Sequence, residues 1–248
     1  MYYSAGQCEG KRLICFPYEG GSSHIFRNWP EALKDSVEVI PLELPGRGRR
    51  ISERLYYKLS ELIHELIPSI LPYLDKQFYF FGHGMGALIA FEMAVALRKN
   101  FLPEPEHLFV SAFSAPQRIL KEKFLIFKLM DDEFIENLKG MNALPGALLK
   151  NRDLVELMLP IVRADFSVCG TYNYKAGLKA DCPITAFLGL ADVEISIEEF
   201  QEWAEVTNSS FELNLLPGNH FYITKYEKIL LKILSEKLSF YSQGVKPV

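Results

Sequence analysis

The chain has little cysteine: four in 248 residues, and Cys8, Cys15, Cys169 and Cys182 stand far apart with no C-x-x-C pair. That spacing offers neither a zinc cage nor a dithiol redox motif. Cys15, inside an apolar run, reads as a small buried hydrophobe. Nor is there an excess of charge of one sign. Lys plus Arg number 27 and Asp plus Glu 31, a net charge of −4, with no long single-sign run, so no electrostatic footprint for nucleic acid or an anionic membrane exists. Small molecules or proteins are the expected partners. No stretch approaches the roughly 18 uninterrupted apolar residues of a membrane span, and the start, MYYSAGQCEGKR, lacks the basic-then-apolar order of an export signal. A cytoplasmic address is expected. Internal repeats and low-complexity tracts are missing too.

What is present is a soluble-type composition, 49% hydrophobic and 23% charged, long enough for one large domain over 1–248. Short apolar runs rich in β-branched and aromatic residues occur at RLICF (12–16), VEVIPL (37–42), FYFF (78–81), HLFVSA (107–112), ITAFLG (184–189) and FELNLL (211–216). Helical stripes lie between most of them: Ile63, Ile67, Ile70 and Leu71; Leu88, Phe91 and Val95; Ile229, Leu230, Ile233 and Leu238. Strands alternating with helices predict an α/β fold, a mainly parallel sheet covered on both faces. The rhythm breaks over about 116–173, where short helices are predicted. Phe134, Leu138 and Met141 share one face there, and Leu154, Leu157, Met158 and Ile161 another. A helical insertion between two strands of such a sheet is well placed to be a lid; the plainer alternative is an ordinary helical layer.

The segment FYFFGHGMGALIAFEMA (78–94) runs a strand into a glycine turn and then into a helix. This is the spacing of a nucleophile elbow, G-x-S-x-G, in which small neighbours let a strained central residue project above the sheet. Position 84, however, is glycine. In α/β-hydrolases the nucleophile is followed in order by an acid and a histidine. Asp192, just after ITAFLG, and His220, in LPGNHFYI after the last strand, satisfy that order at carboxyl ends of strands, where a parallel sheet presents its site. Asp165 is the other candidate acid, although Arg163 and Asp165 read more simply as a structural pair. The oxyanion hole calls for the backbone N–H of Met85 and a second donor from the loop FPYEGGSS (16–23). Glu19 is the choice, through its backbone, with Tyr18 and Gly20 as alternatives. Ser22 and Ser23 are weak candidates for a replacement nucleophile.

A rival reading comes from GHGMGA, which satisfies the dinucleotide fingerprint G-x-G-x-x-A between a strand and a helix. The motif follows the third strand rather than the first, and the next strand has no acid at its end for a ribose.

Taken together, LICFPYEGGSS, LPGRGRR (44–50), FFGHGMGALIAFEMA, LPIVRADF (159–166), GLADVEI and LPGNHFYI, in this order over nearly the whole chain, resemble the type II thioesterases that accompany polyketide and nonribosomal peptide synthetases. They are also similar to the medium-chain thioesterase of fatty acid synthesis. The family's FGHSMGA is FGHGMGA here, and its usual His-Ala before the double glycine is Tyr18-Glu19. The resemblance implies an α/β-hydrolase domain with a lid over 116–173, and no cofactor or metal. It further implies a cytoplasmic monomer that releases acyl groups from the phosphopantetheine arm of a carrier protein. The site it implies comprises the nucleophile position Gly84, with Asp192, His220 and the oxyanion donors Met85 and Glu19, and lid residues such as Phe134 and Met141 at an acyl pocket. With glycine at 84 no acyl enzyme can form there, and hydrolysis is expected to be feeble; the alternative is a non-catalytic member of the same fold that binds an acyl or carrier-protein ligand in an intact cleft.

Overall fold

A computed structural model describes residues 10–140 and 152–240. Six strands are present among the described residues: β1 (Lys11–Phe16), β2 (Glu38–Pro41), β3 (Gln77–His83), β4 (Leu108–Ser111), β5 (Ile184–Gly189) and β6 (Phe211–Leu216). They form one sheet in the order β2-β1-β3-β4-β5-β6, every pairing parallel. Each predicted apolar run contributes one strand.

Alternation along the strands divides the core in two. On β1, Ile14 and Phe16 face one layer while Leu13 and Cys15 face the other; on β3, Phe78 and Phe80 oppose Tyr79 and Phe81. All eight are essentially without solvent exposure, as expected of parallel strands covered on both sides. Each such aromatic or aliphatic side chain removed from water contributes roughly 1.5–3 kcal/mol.

The first layer holds α2 (Leu59–Ile70) and α3 (Met85–Lys99). α2 buries Leu59, Leu62, Ile63, Leu66 and Ile70, a stripe shifted from the predicted one. Leu71 lies beyond the helix, in a 3₁₀ turn begun by Pro72 at its second position, and is exposed. α3 is buried nearly all round, Leu88, Phe91 and Val95 included, because it passes directly behind the centre of the sheet. The second layer combines Phe26 and Trp29, the latter opening the short helix α1 (Trp29–Ala32), with the C-terminal helix (Glu227–Phe240). In that helix Leu230, Leu231, Leu234 and Leu238 are buried and Ile229 is exposed.

Between β4 and β5 the described residues include a run of helices and add no strand to the sheet. They include α4 (Lys121–Phe124), α5 (Asp131–Gly140) and α6 (Arg152–Gly170). Phe134 and Leu138 of α5 join Leu159, Val162 and Phe166 of α6 in a separate small core. The buried stripe of α6 is thus Val155, Leu159, Val162 and Phe166; of the predicted face Ile161 is buried, while Leu154 and Leu157 lie exposed. Further along α6, Val168 and Cys169 enter the main core, so one helix spans both. The helices α7 (Ile197–Gln201) and α8 (Tyr222–Lys225) follow β5 and β6, and the C-terminal helix is α9. Among the described residues no helix is long and apolar enough to cross a membrane.

Candidate active site

Strand β3 ends at His83 and α3 begins at Met85, leaving Gly84 alone to turn the chain, at φ 56° and ψ −133°. Its N–H donates to the Ser111 carbonyl at 2.9 Å, and its own carbonyl accepts from Ala87 N–H at 2.9 Å. The flanking glycines are there for close approach. A Cβ on Gly82 would run into the Gly86 carbonyl, and one on Gly86 into the Phe16 carbonyl, so helix, strand and β1 meet without side chains between them. A Cβ on Gly84 would lie 2.5 Å from Glu19 Oε2 and 2.9 Å from Tyr18 Cβ. The elbow is built, but the space for its side chain is taken.

Asp192 and His220 come together from the ends of β5 and β6. The turn after β5 is laced to the segment after β6 by Leu190 N–H to the Leu216 carbonyl and Ala191 N–H to the Gly218 carbonyl, both 2.8 Å. Within that frame His220 Nδ1 lies 3.0 Å from Asp192 Oδ2, while Asp192 Oδ1 accepts the Glu194 N–H at 2.9 Å. The Asp192 side chain is fully buried. Burial works against charging the imidazole, yet the hydrogen bond and charge of Asp192 outweigh it and hold the His220 pKa above its ordinary value. A histidine so held has one ring nitrogen committed and its cationic form stabilised, as a general base requires.

Asp165 does not hold this histidine. It forms a buried two-pronged ion pair with Arg47, Nη1 to Oδ2 at 2.6 Å and Nη2 to Oδ1 at 2.7 Å, and Oδ2 also accepts the Gly20 N–H at 2.7 Å. Arg47 Nη1 reaches the Gly21 carbonyl at 3.3 Å. The pair therefore clamps the loop after β1 between LPGRG and α6. Arg163, expected to partner Asp165, instead donates to Asp131 Oδ1 at 2.7 Å and to the Leu129 carbonyl at 2.7 Å. Two residues apart on α6, the side chains point to different neighbours.

The loop itself turns through Gly21 N–H to the Tyr18 carbonyl at 2.9 Å. Glu19 is partly buried, and the nearby N–H groups of Glu19 itself and of Met85 favour its charged form. Burial nevertheless keeps its pKa above the ordinary carboxylate value, with His220 nearby pulling the other way. Ser22 accepts from His24 N–H as a cap, and Ser23 donates to Glu43 at 2.7 Å. Both hydroxyls are thus engaged away from the elbow.

Glu19 and His220, with Lys123, Glu194 and Glu199, are the charged or ionisable groups of a cleft whose remaining wall is mainly apolar, including Phe113, Ile119, Phe124, Phe166 and Ile195. The helical segment supplies Ile119, Phe124 and Phe166. Phe134, expected at the pocket, packs instead inside the small α5–α6 core, edge-on to Phe166 at 5.8 Å and beneath the Arg163 guanidinium at 4.3 Å. Met141 lies outside the described residues.

Sequence reasoning missed the support under the elbow. His83 Nδ1 lies 2.7 Å from Ser111 Oγ, Ser111 meets the Tyr222 hydroxyl, and Tyr222 donates to the Phe187 carbonyl at 2.8 Å. Burial, with His220 adding to it, drives the His83 pKa well below its ordinary value, so its ring is neutral. The Nδ1–H can then donate along the chain from hydroxyl to hydroxyl. The available signal was the parallel register that sets His83 against Ser111, which needs the strand order and not the motif alone.

Comparison with known proteins places this geometry. Residues 11–238 match the thioesterase domain family. The gramicidin S biosynthesis protein GrsT of Aneurinibacillus migulanus is 38% identical over 221 residues, 88% of this chain and 86% of that protein. LgrE of Brevibacillus parabrevis, named a linear gramicidin dehydrogenase, is 36% identical over 239 residues, 95% and 90%. Among solved structures, the type II thioesterase BorB from the borrelidin biosynthetic cluster superposes with a TM-score of 0.85 at 31% identity, covering 96% of each chain. With a parallel sheet, an elbow after its third strand and an acid–histidine pair at the ends of the last two, this chain belongs to the thioesterase family.

Proposed function

We propose that the cleft receives an acyl thioester on the phosphopantetheine arm of a carrier protein, with the acyl chain against Phe113, Ile119, Phe124 and Phe166 and the thioester near His220. The α4–α6 segment acts as the lid. The observation that carries this reading is that His220, held by Asp192, lines one cleft together with an apolar wall and with Tyr18 and Glu19, the two residues that crowd the elbow. The named type II thioesterase relative supports the class of ligand.

Hydrolysis through an acyl enzyme needs a hydroxyl that His220 can deprotonate. Gly84 supplies none, so turnover in this chain is slow and no covalent acyl adduct forms at residue 84. Loss of a triad serine costs about a millionfold in kcat in a well-studied protease, with roughly a thousandfold over water left to oxyanion stabilisation and binding. Thioester binding does not depend on the missing hydroxyl.

The G-x-G-x-x-A spacing that would suit a dinucleotide is consumed by packing, since Gly82 and Gly86 meet backbone rather than open space. Strand β4 ends at Ser111 and is followed by Ala112, with no acid for a ribose. Both points favour the thioester reading. Calorimetry with a decanoyl-loaded carrier protein and with decanoyl-CoA tests it. Binding with a bell-shaped chain-length preference is expected, and no binding of either at high concentration would sink it.

A further inference from the structure

We infer that Glu19 is a resident occupant of the oxyanion cradle, so that this site holds an acyl thioester without hydrolysing it. The inference rests on the thioester reading above and goes one step further. Gly84 removes the nucleophile, and Glu19 removes the catalysis that would otherwise survive.

The geometry is specific. Glu19 Oε2 stands 2.5 Å from where a Cβ on residue 84 would be, the place from which a serine hydroxyl would act. The same carboxylate lies close enough to the N–H groups of Met85 and of Glu19 itself for both to favour its charged form, and these are the two donors an oxyanion would need. It also lines the cleft with His220, whose charge favours its ionised form. One group thus fills both the nucleophile's space and the cradle, much as a bound carboxylate product would.

In direct hydrolysis a water oxygen bonds to the thioester carbonyl carbon, negative charge builds on the carbonyl oxygen, and the carbon–sulfur bond breaks as the thiol leaves with a proton from water. The charge-building step is the one the two N–H groups would stabilise. Removing a single oxyanion donor costs about a hundred- to a thousandfold, and here both face a carboxyl group that the thioester carbonyl must displace. A carboxylate serving as base or nucleophile would have to leave those donors first, so occupancy fits the contacts better than catalysis does.

The test compares the unaltered protein with Glu19→Ala and Glu19→Gln, folding verified by circular dichroism, using thiol release from decanoyl-CoA above the background of a Glu19→Ala/His220→Ala double variant. Glu19→Ala is expected to raise hydrolysis at least tenfold although residue 84 is still glycine. Glu19→Gln, which keeps the space filled, gains less. Unchanged or reduced turnover in Glu19→Ala overturns the proposal, and a reduction would make Glu19 the hydrolytic group. A second reading is independent of thioesters. The Met85 amide proton, followed by NMR, should titrate with a carboxylate in the unaltered protein and lose that titration in Glu19→Gln. His220, Asp165, Tyr18 and Cys169 also face Glu19, and the glutamine variant separates their titrations from its own. A flat Met85 resonance in the unaltered protein overturns the occupancy; failure of decanoyl-CoA to bind any variant, with the Met85 titration present, sinks only the thioester reading.

Discussion

Helix α3 has an unusual residue at each end, and the two are opposite. At its start, Gly84 occupies a backbone turn at φ 56° where the family pattern places serine. At its end, Phe101 stands at φ 55°, 98% exposed, where glycine would be at ease. The C-terminal turn has the bonds of a Schellman cap, Phe101 N–H to the Arg98 carbonyl and Leu102 N–H to the Leu97 carbonyl, each 3.0 Å. Strain is therefore relaxed at the end where chemistry would call for it, and kept at the end where no chemistry uses it. The difference lies in the neighbours. Phe101 projects into solvent, whereas position 84 is crowded by Tyr18 and Glu19. Backbone strain alone does not mark a functional site; strain facing a cleft beside an oriented histidine does.

The most forceful way to break the comparison is to give the elbow back its hydroxyl. Gly84→Ser alone must push Glu19 aside and press on Tyr18 Cβ, so little activity is expected from it. Combined with Glu19→Ala, it should raise decanoyl-CoA hydrolysis by several orders of magnitude, with the roughly millionfold serine effect as the ceiling. The cycle of single and double variants measures the coupling. A double variant that folds, binds acyl-CoA and stays inactive would mean that Asp192 and His220 cannot drive acyl transfer.

The elbow end is also pinned by a buried ion pair, whereas the ion pair at the other end, Arg98 with Asp181, is partly exposed. Arg47 and Asp165 are both buried, and removing either strands the other's charge. Arg47→Ala or Asp165→Ala should lower stability by about 3–5 kcal/mol, measured by urea denaturation. Because Asp165 also holds the Gly20 N–H, the loop after β1 should lose amide-exchange protection before the sheet does. Losses under 1 kcal/mol would show that the pair is dispensable to the fold.

Much of this was legible in the sequence. The six strands could be read because each is a short apolar run between turn signals, and a parallel sheet wants both faces apolar. The contact between Asp192 and His220 was legible from chain order and from their places just after strands, since in this fold order fixes which strand end carries which group. What stayed hidden depends on contact between distant segments. Arg47 and Asp165 are 118 positions apart, and no local pattern joins them. Phe134 follows a helical stripe perfectly well, but periodicity reports that a face is buried and not against what; the answer was α6 rather than the cleft. Glu19 was chosen for its N–H, and only three dimensions bring its carboxylate to the elbow.

The pH response sharpens the same contrast at smaller scale. The His220 pKa is raised despite burial because Asp192 bonds and charges it. Its contribution to stability is full below about pH 6.5, the unfolded value, and is lost as pH rises through the folded value. Asp192→Asn should lower the His220 pKa, visible by NMR titration, and cost roughly 1–2 kcal/mol at pH 6, where the charge-assisted bond counts most. The deficit should shrink toward pH 9. A deficit independent of pH would assign the loss to Asp192's bond with the Glu194 N–H and not to the histidine.

The smallest expected effect lies at the far end of α3. A side chain with a Cβ in the left-handed region costs about 1–2 kcal/mol, and a glycine there returns part of that through the greater freedom of the unfolded chain. Phe101→Gly should therefore stabilise the protein by about 0.5–1 kcal/mol, a rise of roughly 1–3 °C in Tm for a chain of this size. Exposure makes the experiment clean, since almost no packing is lost with the ring. Phe101→Ala is the control: it removes the ring but keeps the Cβ, and should gain nothing. If alanine stabilises as much as glycine, the cost at this position belongs to an exposed aromatic ring and not to the backbone, and the two ends of α3 are then not strained alike.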